Sequence, residues 1–400
     1  MNRVLARNSA IAAGAVAVNG LLSAVLLALC AAIGQTGEIA AYTVMTSALA
    51  FVSIVAGGGS ALLYVNGTEE QRSLVRSQWI LVVVPGVLLG SVVVGEFYRH
   101  RGYGGVALAA SGIIVLGNNL AQLQIADFAR RMRFLASAVL MCGSKAVSLL
   151  LVLVGVRLTV SLAVVGLAQL AVAEAMLGKD GSLRGIHARQ LSLRSAVVAY
   201  HTNRHLFGYA VGELYVARLT TLVLSVVVSP ALMGSFGTVV TAYQGIGGVV
   251  QSGLQVPMVA RARSRLGIEF AKHSSAFSVA VALVLAVPAA VVFSTLAPWL
   301  TGRVLKLPDP ASASWLALFM LALPFLAVSR AFMLNKVGDG HYRWATRAMG
   351  LLALLTTAAV AVGVPLFGPL GAAGATAAAE ALTLGVLVTV LVRRRVPMPA

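Results

Sequence analysis

The chain has 400 residues, 59% of them hydrophobic and only 10% charged, with 30 Lys and Arg against 12 Asp and Glu. A soluble domain carries roughly a quarter charged residues, so a water-soluble globular enzyme is excluded. The net charge of +18 is spread between apolar runs, which points to membrane topology and anionic lipid headgroups as partners, not to nucleic acid.

Twelve apolar segments follow one another, near 9–33, 39–64, 78–95, 104–126, 134–156, 158–177, 206–228, 231–257, 275–300, 312–335, 346–367 and 369–392. Each approaches the roughly 20 residues that a helix needs to cross a bilayer. The first is too long for the core of a signal peptide and has no small-residue cleavage site, so it reads as a retained helix. The fold expected is all-α and polytopic, with about 12 transmembrane helices. They leave no room for a soluble domain.

With the N-terminus in the cytoplasm, 22 Lys and Arg fall on the inner side, including Arg72, Arg76, Arg130, Arg131, Arg133 and Arg393–Arg395. The outer side receives five: Arg99, Arg101, Arg157, Arg303 and Lys306. Cations are retained on the cytoplasmic side during insertion, so both termini are expected there.

The organisation expected is an N-terminal six-helix lobe over 1–178, a basic cytoplasmic linker over 179–205 and a second six-helix lobe over 206–400. The linker holds Lys179, Arg184, Arg189, Arg194 and Arg204, with His187, His201 and His205. Within it, Leu191–Tyr200 reads as a short surface helix. The histidines lack tight ligand spacing, so neither metal nor cofactor is expected. Cys30 and Cys142 fall inside apolar segments and read as small core residues, without a disulfide.

The two lobes share a faint repeat. Thr43-Val44-Met45-Thr46 matches Thr238-Val239-Val240-Thr241, and Ala173-Glu174-Ala175 matches Ala379-Glu380-Ala381, at offsets of 195 and 206. Six helices per lobe give both lobes the same orientation, related by an axis along the membrane normal.

Three cations lie within apolar segments: Lys145, Arg218 and Arg330. A charge facing lipid costs several kcal/mol, so such groups face a cavity or a partner. Lys145 and Arg218 sit near mid-membrane and suggest a cavity of positive potential; buried ion pairs are the other reading. Snorkelling accounts for Arg330, nearer the inner side, more readily than for the other two. Glu213 lies five residues from Arg218, off its helix face, and pairs with it only imperfectly.

Gln244, Gln251 and Gln255 share one stripe of the eighth segment. The fourth segment carries Asn118, Asn119, Gln122 and Gln124. Such amides hydrogen-bond sugar hydroxyls in a cavity, or neighbouring helices. Gly57-Gly58-Gly59 and Pro257 serve either close packing or hinge motion. No HExxH, GxSxG or phosphate-binding loop is present, nor paired acids suited to glycosyl transfer, which points away from an enzyme.

Three stretches together resemble the polysaccharide flippases of the multidrug/oligosaccharidyl-lipid/polysaccharide superfamily, especially their Wzx-like O-antigen branch. They are Gly34–Tyr42 followed by Gly57–Ser60, Met233–Thr241 followed by Pro257, and Gly368–Ala375. The resemblance implies two six-helix lobes in a V, working by alternating access, and a substrate of polyprenyl-diphosphate-linked oligosaccharide bound for surface polysaccharide. Polysaccharide polymerase and glycosyltransferases would then be partners. Within that reading, position makes Arg218 and Lys145 diphosphate contacts and Arg330 an entry contact. Gln244, Gln251, Asn118 and Asn119 become sugar contacts, and Glu213 the coupling carboxylate. A cation-coupled drug antiporter of the same fold is the alternative, and a membrane-embedded polymerase or transferase a more distant one. Lipid II flippases of the superfamily carry fourteen helices, two more than expected here.

Overall fold

A computed structural model describes residues 2–57, 69–131, 133–177, 192–263, 268–338 and 341–393. Among them the N-terminal half, called here the first lobe, contains α1 (Asn2–Ala32), α2 (Thr36–Gly57), α4 (Gly105–Arg130), α5 (Phe134–Leu153) and α6 (Leu158–Leu177). Between α2 and α4 runs α3, built from Glu69–Gln78, a π-helical turn over Trp79–Val83, and Val84–Arg99. The second lobe contains α7 (Leu193–Val227), α8 (Pro230–Arg263), α9 (Ile268–Thr295) and α10 (Ser312–Gly338). Its last element, Tyr342–Arg393, breaks at Gly368 into α11 (342–367) and α12 (369–393).

Local chemistry explains several of these boundaries. α1 stops where Gly34 takes a left-handed φ of 81° and the Gln35 amide turns back to the Cys30 carbonyl at 2.8 Å, a glycine-terminated helix end. Pro85 offers no N–H to the preceding turn of α3, and the π-helical turn just before it absorbs the break in register. Gly368, at φ 55°, folds α12 back on α11. There a Cβ on Gly363 would lie 2.8 Å from the Gly371 carbonyl oxygen, so the two helices touch backbone to backbone.

One expectation changes. Leu191–Tyr200 is not a separate surface helix: from Leu193 onward the chain is already the first turns of α7. Ser192 caps that helix by accepting the Ser195 amide at 3.0 Å, and nothing after it interrupts the helical run. Residues 179–191 of the expected linker lie outside the described residues.

The helices are those of an integral membrane protein. Eight described stretches are long and apolar enough to span a bilayer, or nine if the bent pair Ala282–Thr295 and Ala297–Val304 counts as one. The stretch Tyr342–Thr389 enters that count once although Gly368 divides it. Large apolar side chains such as Leu89, Val92, Val284 and Leu354 remain about 70% exposed, which suits lipid as their solvent.

Within the first lobe α1 packs on α5, α2 on α3 and α4, and α4 on α6. Within the second, α7 and α10 pack on the α11–α12 pair, and α9 on α10. Among the described residues the lobes meet mainly along α1–α8, α2–α7, α2–α8 and α3–α7. Glycines make the closest approaches: a Cβ on Gly237 of α8 would strike Thr43 of α2, and Gly245 faces Gly20 of α1. The loops at 33–35 and 100–104 mark one end of the bundle, called here the far end. The chain begins at the opposite, near end.

Candidate site at the lobe seam and in the second lobe

Two charged groups on α7 point opposite ways. At about 100° per residue, Glu213 and Arg218 stand about 140° apart around the helix. Glu213 shares the side of Tyr209 and Val216, which pack into the second lobe with Met333, Met349 and Leu352. Arg218 faces away from that core, toward the first lobe.

At the seam, Arg218 donates from Nη1 to Gln244 Oε1 of α8 at 3.2 Å, and Gln244 Nε2 donates to the Ala217 carbonyl at 3.4 Å. Tyr42 of α2 lies within electrostatic reach. Nearby on α7, Tyr215 meets Phe51 of α2 edge to face, with centroids 5.8 Å apart. The Arg218 Nε is buried without a hydrogen-bond partner. Among the described residues no carboxylate pairs with Arg218, so its charge is balanced only by neutral groups.

Lys145 occupies the same depth on α5. It shares a stripe with buried Ser148 and Val152 and with Cys142, whose thiol reaches the Ala15 carbonyl of α1 at 3.5 Å. The opposite stripe, Val139, Gly143, Val147 and Leu150, is exposed. Lys145 therefore points into the first lobe, and among the described residues no acid pairs with it.

Arg330 stands differently. It is 3% exposed and binds Glu380 of α12 through Nη2 at 3.1 Å, while its Nε lies 3.6 Å from Glu213 Oε1 of α7. Ser329 donates to the other Glu380 oxygen at 3.0 Å. One guanidinium thus joins α7, α10 and α12, and the sequence-based role of Arg330 as an entry contact meets a side chain already held by two acids. The hydroxyls of Tyr209 and Tyr243, near the same charges, are buried without hydrogen-bond partners, as are the Arg330 Nε and Nη1.

The remaining sequence candidates are dispersed. Asn119 is buried, and its Nδ2 donates to Ser53 Oγ of α2 at 2.7 Å and to the Val115 carbonyl at 2.8 Å; it ties α4 to α2. Asn118 is exposed on the neighbouring face. Gln251 and Pro257 belong to α8, but their side chains lie outside the described residues. Gly57 is the last residue described in α2, and Gly58 and Gly59 lie beyond it.

The sequence reading missed one pair. Gln124 of α4 donates from Nε2 to Glu174 Oε2 of α6 at 3.0 Å, across 50 residues. Arg330 of α10 and Glu380 of α12 are also 50 residues apart, and each stands 206 positions after its counterpart. Both lobes therefore carry a buried glutamate on their last helix that binds a donor two helices earlier. Extending the Glu174–Glu380 match to the residues 50 positions before each would have found the pair.

Several solved structures share this fold. The lipid II flippase MurJ in an inward closed conformation superposes with a TM-score of 0.70 at 14% identity, over 93% of this chain and 85% of that one. The MATE multidrug transporter DinF-BH, solved as a ligand complex, gives 0.65 at 14%, over 99% and 96%. A MOP superfamily transporter from Pyrococcus furiosus, described as having a binding pocket of reverse polarity, gives 0.55 at 11%, over 98% and 95%. The chain shares the fold of these transporters. No protein-family model and no curated sequence matches the chain.

Proposed function

We propose that this MOP-fold chain is an alternating-access flippase. It carries a polyprenyl-diphosphate-linked oligosaccharide from the inner to the outer leaflet of a bacterial cytoplasmic membrane, for surface polysaccharide synthesis. The observation that carries the reading is Arg218: a half-buried guanidinium within α7 at the lobe seam, with no acid paired to it among the described residues. A half-buried cation without a counter-ion carries part of the desolvation cost of a buried charge, and a ligand bearing phosphate offsets it. The planar guanidinium matches phosphate oxygens two at a time, and the low dielectric strengthens the attraction. Lys145 supplies a second positive point inside the first lobe. Arg330, held by Glu380 and Glu213, keeps the second lobe together. Glu213, whose side chain is 38% exposed, is the carboxylate through which a proton or sodium ion couples to transport.

In this reading the near end faces the cytoplasm, where the basic loops contact anionic lipid, and the far end faces outward. Polysaccharide polymerase and glycosyltransferases act on either side of the transport step. The solved drug exporters of the same fold support a second reading, antiport of a small molecule; an Arg218 with no acid paired to it among the described residues argues against a cationic one.

Deleting the gene and measuring lipid-linked oligosaccharide and surface glycan by mass spectrometry separates the two. Intracellular polyprenyl-diphosphate glycan that accumulates while surface polymer is lost is the expected result. Unchanged lipid-linked pools with altered drug tolerance would transfer the reading to the antiporter.

A further inference from the structure

At the far end, the tip of α3 in the first lobe is bonded to the tip of α7 in the second. Tyr98 Oη and Ser225 Oγ share a hydrogen bond of 2.9 Å, with both residues buried. Three residues on, Arg101 Nη1 donates to the Val226 carbonyl at 2.8 Å. That carbonyl belongs to the last turn of α7, whose carbonyls have no partner within the helix, so a cation there also meets the negative end of the helix dipole.

Tyr98 and Arg101 are both braced from their own lobe. The Tyr98 ring packs edge-on against Tyr103 at 5.3 Å and Phe97 at 5.0 Å. The Arg101 guanidinium lies over the Phe97 ring at 4.9 Å. Gly102, at φ 87°, turns the chain between Arg101 and Tyr103. Burial pushes the Tyr103 phenol up to about 12, so the aromatic brace stays neutral across the physiological range.

We propose that Tyr98–Ser225 and Arg101–Val226 form a latch that holds the far ends of the two lobes together and must release before the seam opens outward. The latch rests on the two-lobe alternating-access reading, but it needs no particular cargo. Its bonds are few and individually modest, which suits contacts that break in every cycle. Losing one such bond changes an equilibrium by about fivefold.

The test follows exposure of the seam from the far side. In the full-length protein with Cys30 and Cys142 replaced by Ala, a single reporter Thr43→Cys sits under Gly237 in the far half of the seam. A membrane-impermeant maleimide is added to the outer face of intact cells. Tyr98→Phe, Ser225→Ala and Arg101→Ala are each expected to raise the labelling rate about fivefold, and Arg101→Lys less. Rates equal to that of the parent reporter protein in all of them would overturn the latch. A second reporter, Thr383→Cys in the core of the second lobe, detects unfolding; if it labels in a variant, the single-hydroxyl change Tyr98→Phe decides. Faster labelling in a protein that moves no lipid-linked glycan would retain the latch and remove the proposed cargo.

Discussion

Arg218 and Arg330 share a residue type, yet their surroundings give them different work. Arg330 has two carboxylates; Arg218 has an amide and a tyrosine. Truncating one partner of a buried, hydrogen-bonded charge contact costs about 2–5 kcal/mol of binding. Arg218→Ala is therefore expected to abolish glycan export while the protein still reaches the membrane in normal amount, and Arg218→Lys to keep part of the activity because the point charge remains. Lys145→Met, which holds the volume, should reduce export in the same assay. Export at the normal rate by both Arg218→Ala and Lys145→Met would end the case for an anionic cargo. Sequence spacing alone placed Glu213 off the Arg218 face, but it gave no sign that Glu213 meets Arg330, because that contact joins helices far apart in the chain. Depth in a hydrophobic segment finds a buried charge; the identity of its neighbour depends on tertiary packing.

At the scale of elements, the helix segments were legible because apolar runs near membrane length alternate with basic loops. The internal joints were less so. The π-helical turn in α3 has Pro85 as its only sequence mark, and the α7 start hides in a basic stretch that resembles a linker. The α11–α12 fold-back was partly legible in Gly368-Pro369, but the backbone contact of Gly363 with Gly371 was not. That contact yields an internally controlled prediction. Gly363→Val would drive a side chain into the Gly371 backbone, whereas Gly350 on the same helix has nothing within 4 Å of a Cβ. Overpacking costs about 1–3 kcal/mol, so Gly363→Val should lower the melting temperature of the purified protein and Gly350→Val should leave it nearly unchanged. Equal melting temperatures would mean that α11 and α12 do not approach this closely.

At the scale of the whole molecule, the two lobes solve one packing problem with different donors. Gln124 holds Glu174 in the first lobe and Arg330 holds Glu380 in the second, at equal separations. If the pairs are counterparts, the second lobe should tolerate the donor that the first one uses. Arg330→Gln removes the charge but keeps an amide N–H able to reach Glu380, reproducing the first-lobe pair. Arg330→Leu keeps comparable bulk and leaves Glu380 with Ser329 as its remaining hydrogen bond. Breaking a buried ion pair from one side costs about 3–5 kcal/mol because the other charge is stranded, and a surviving hydrogen bond to a charged group returns about 1.5–3 kcal/mol of that. The melting temperature should therefore fall clearly more for Arg330→Leu than for Arg330→Gln. Adding Glu380→Gln to Arg330→Leu should recover part of the loss, since the stranded charge is then gone. Equal losses for the two single variants would show that the matching separation is a coincidence of spacing and that Arg330 is needed for its charge alone.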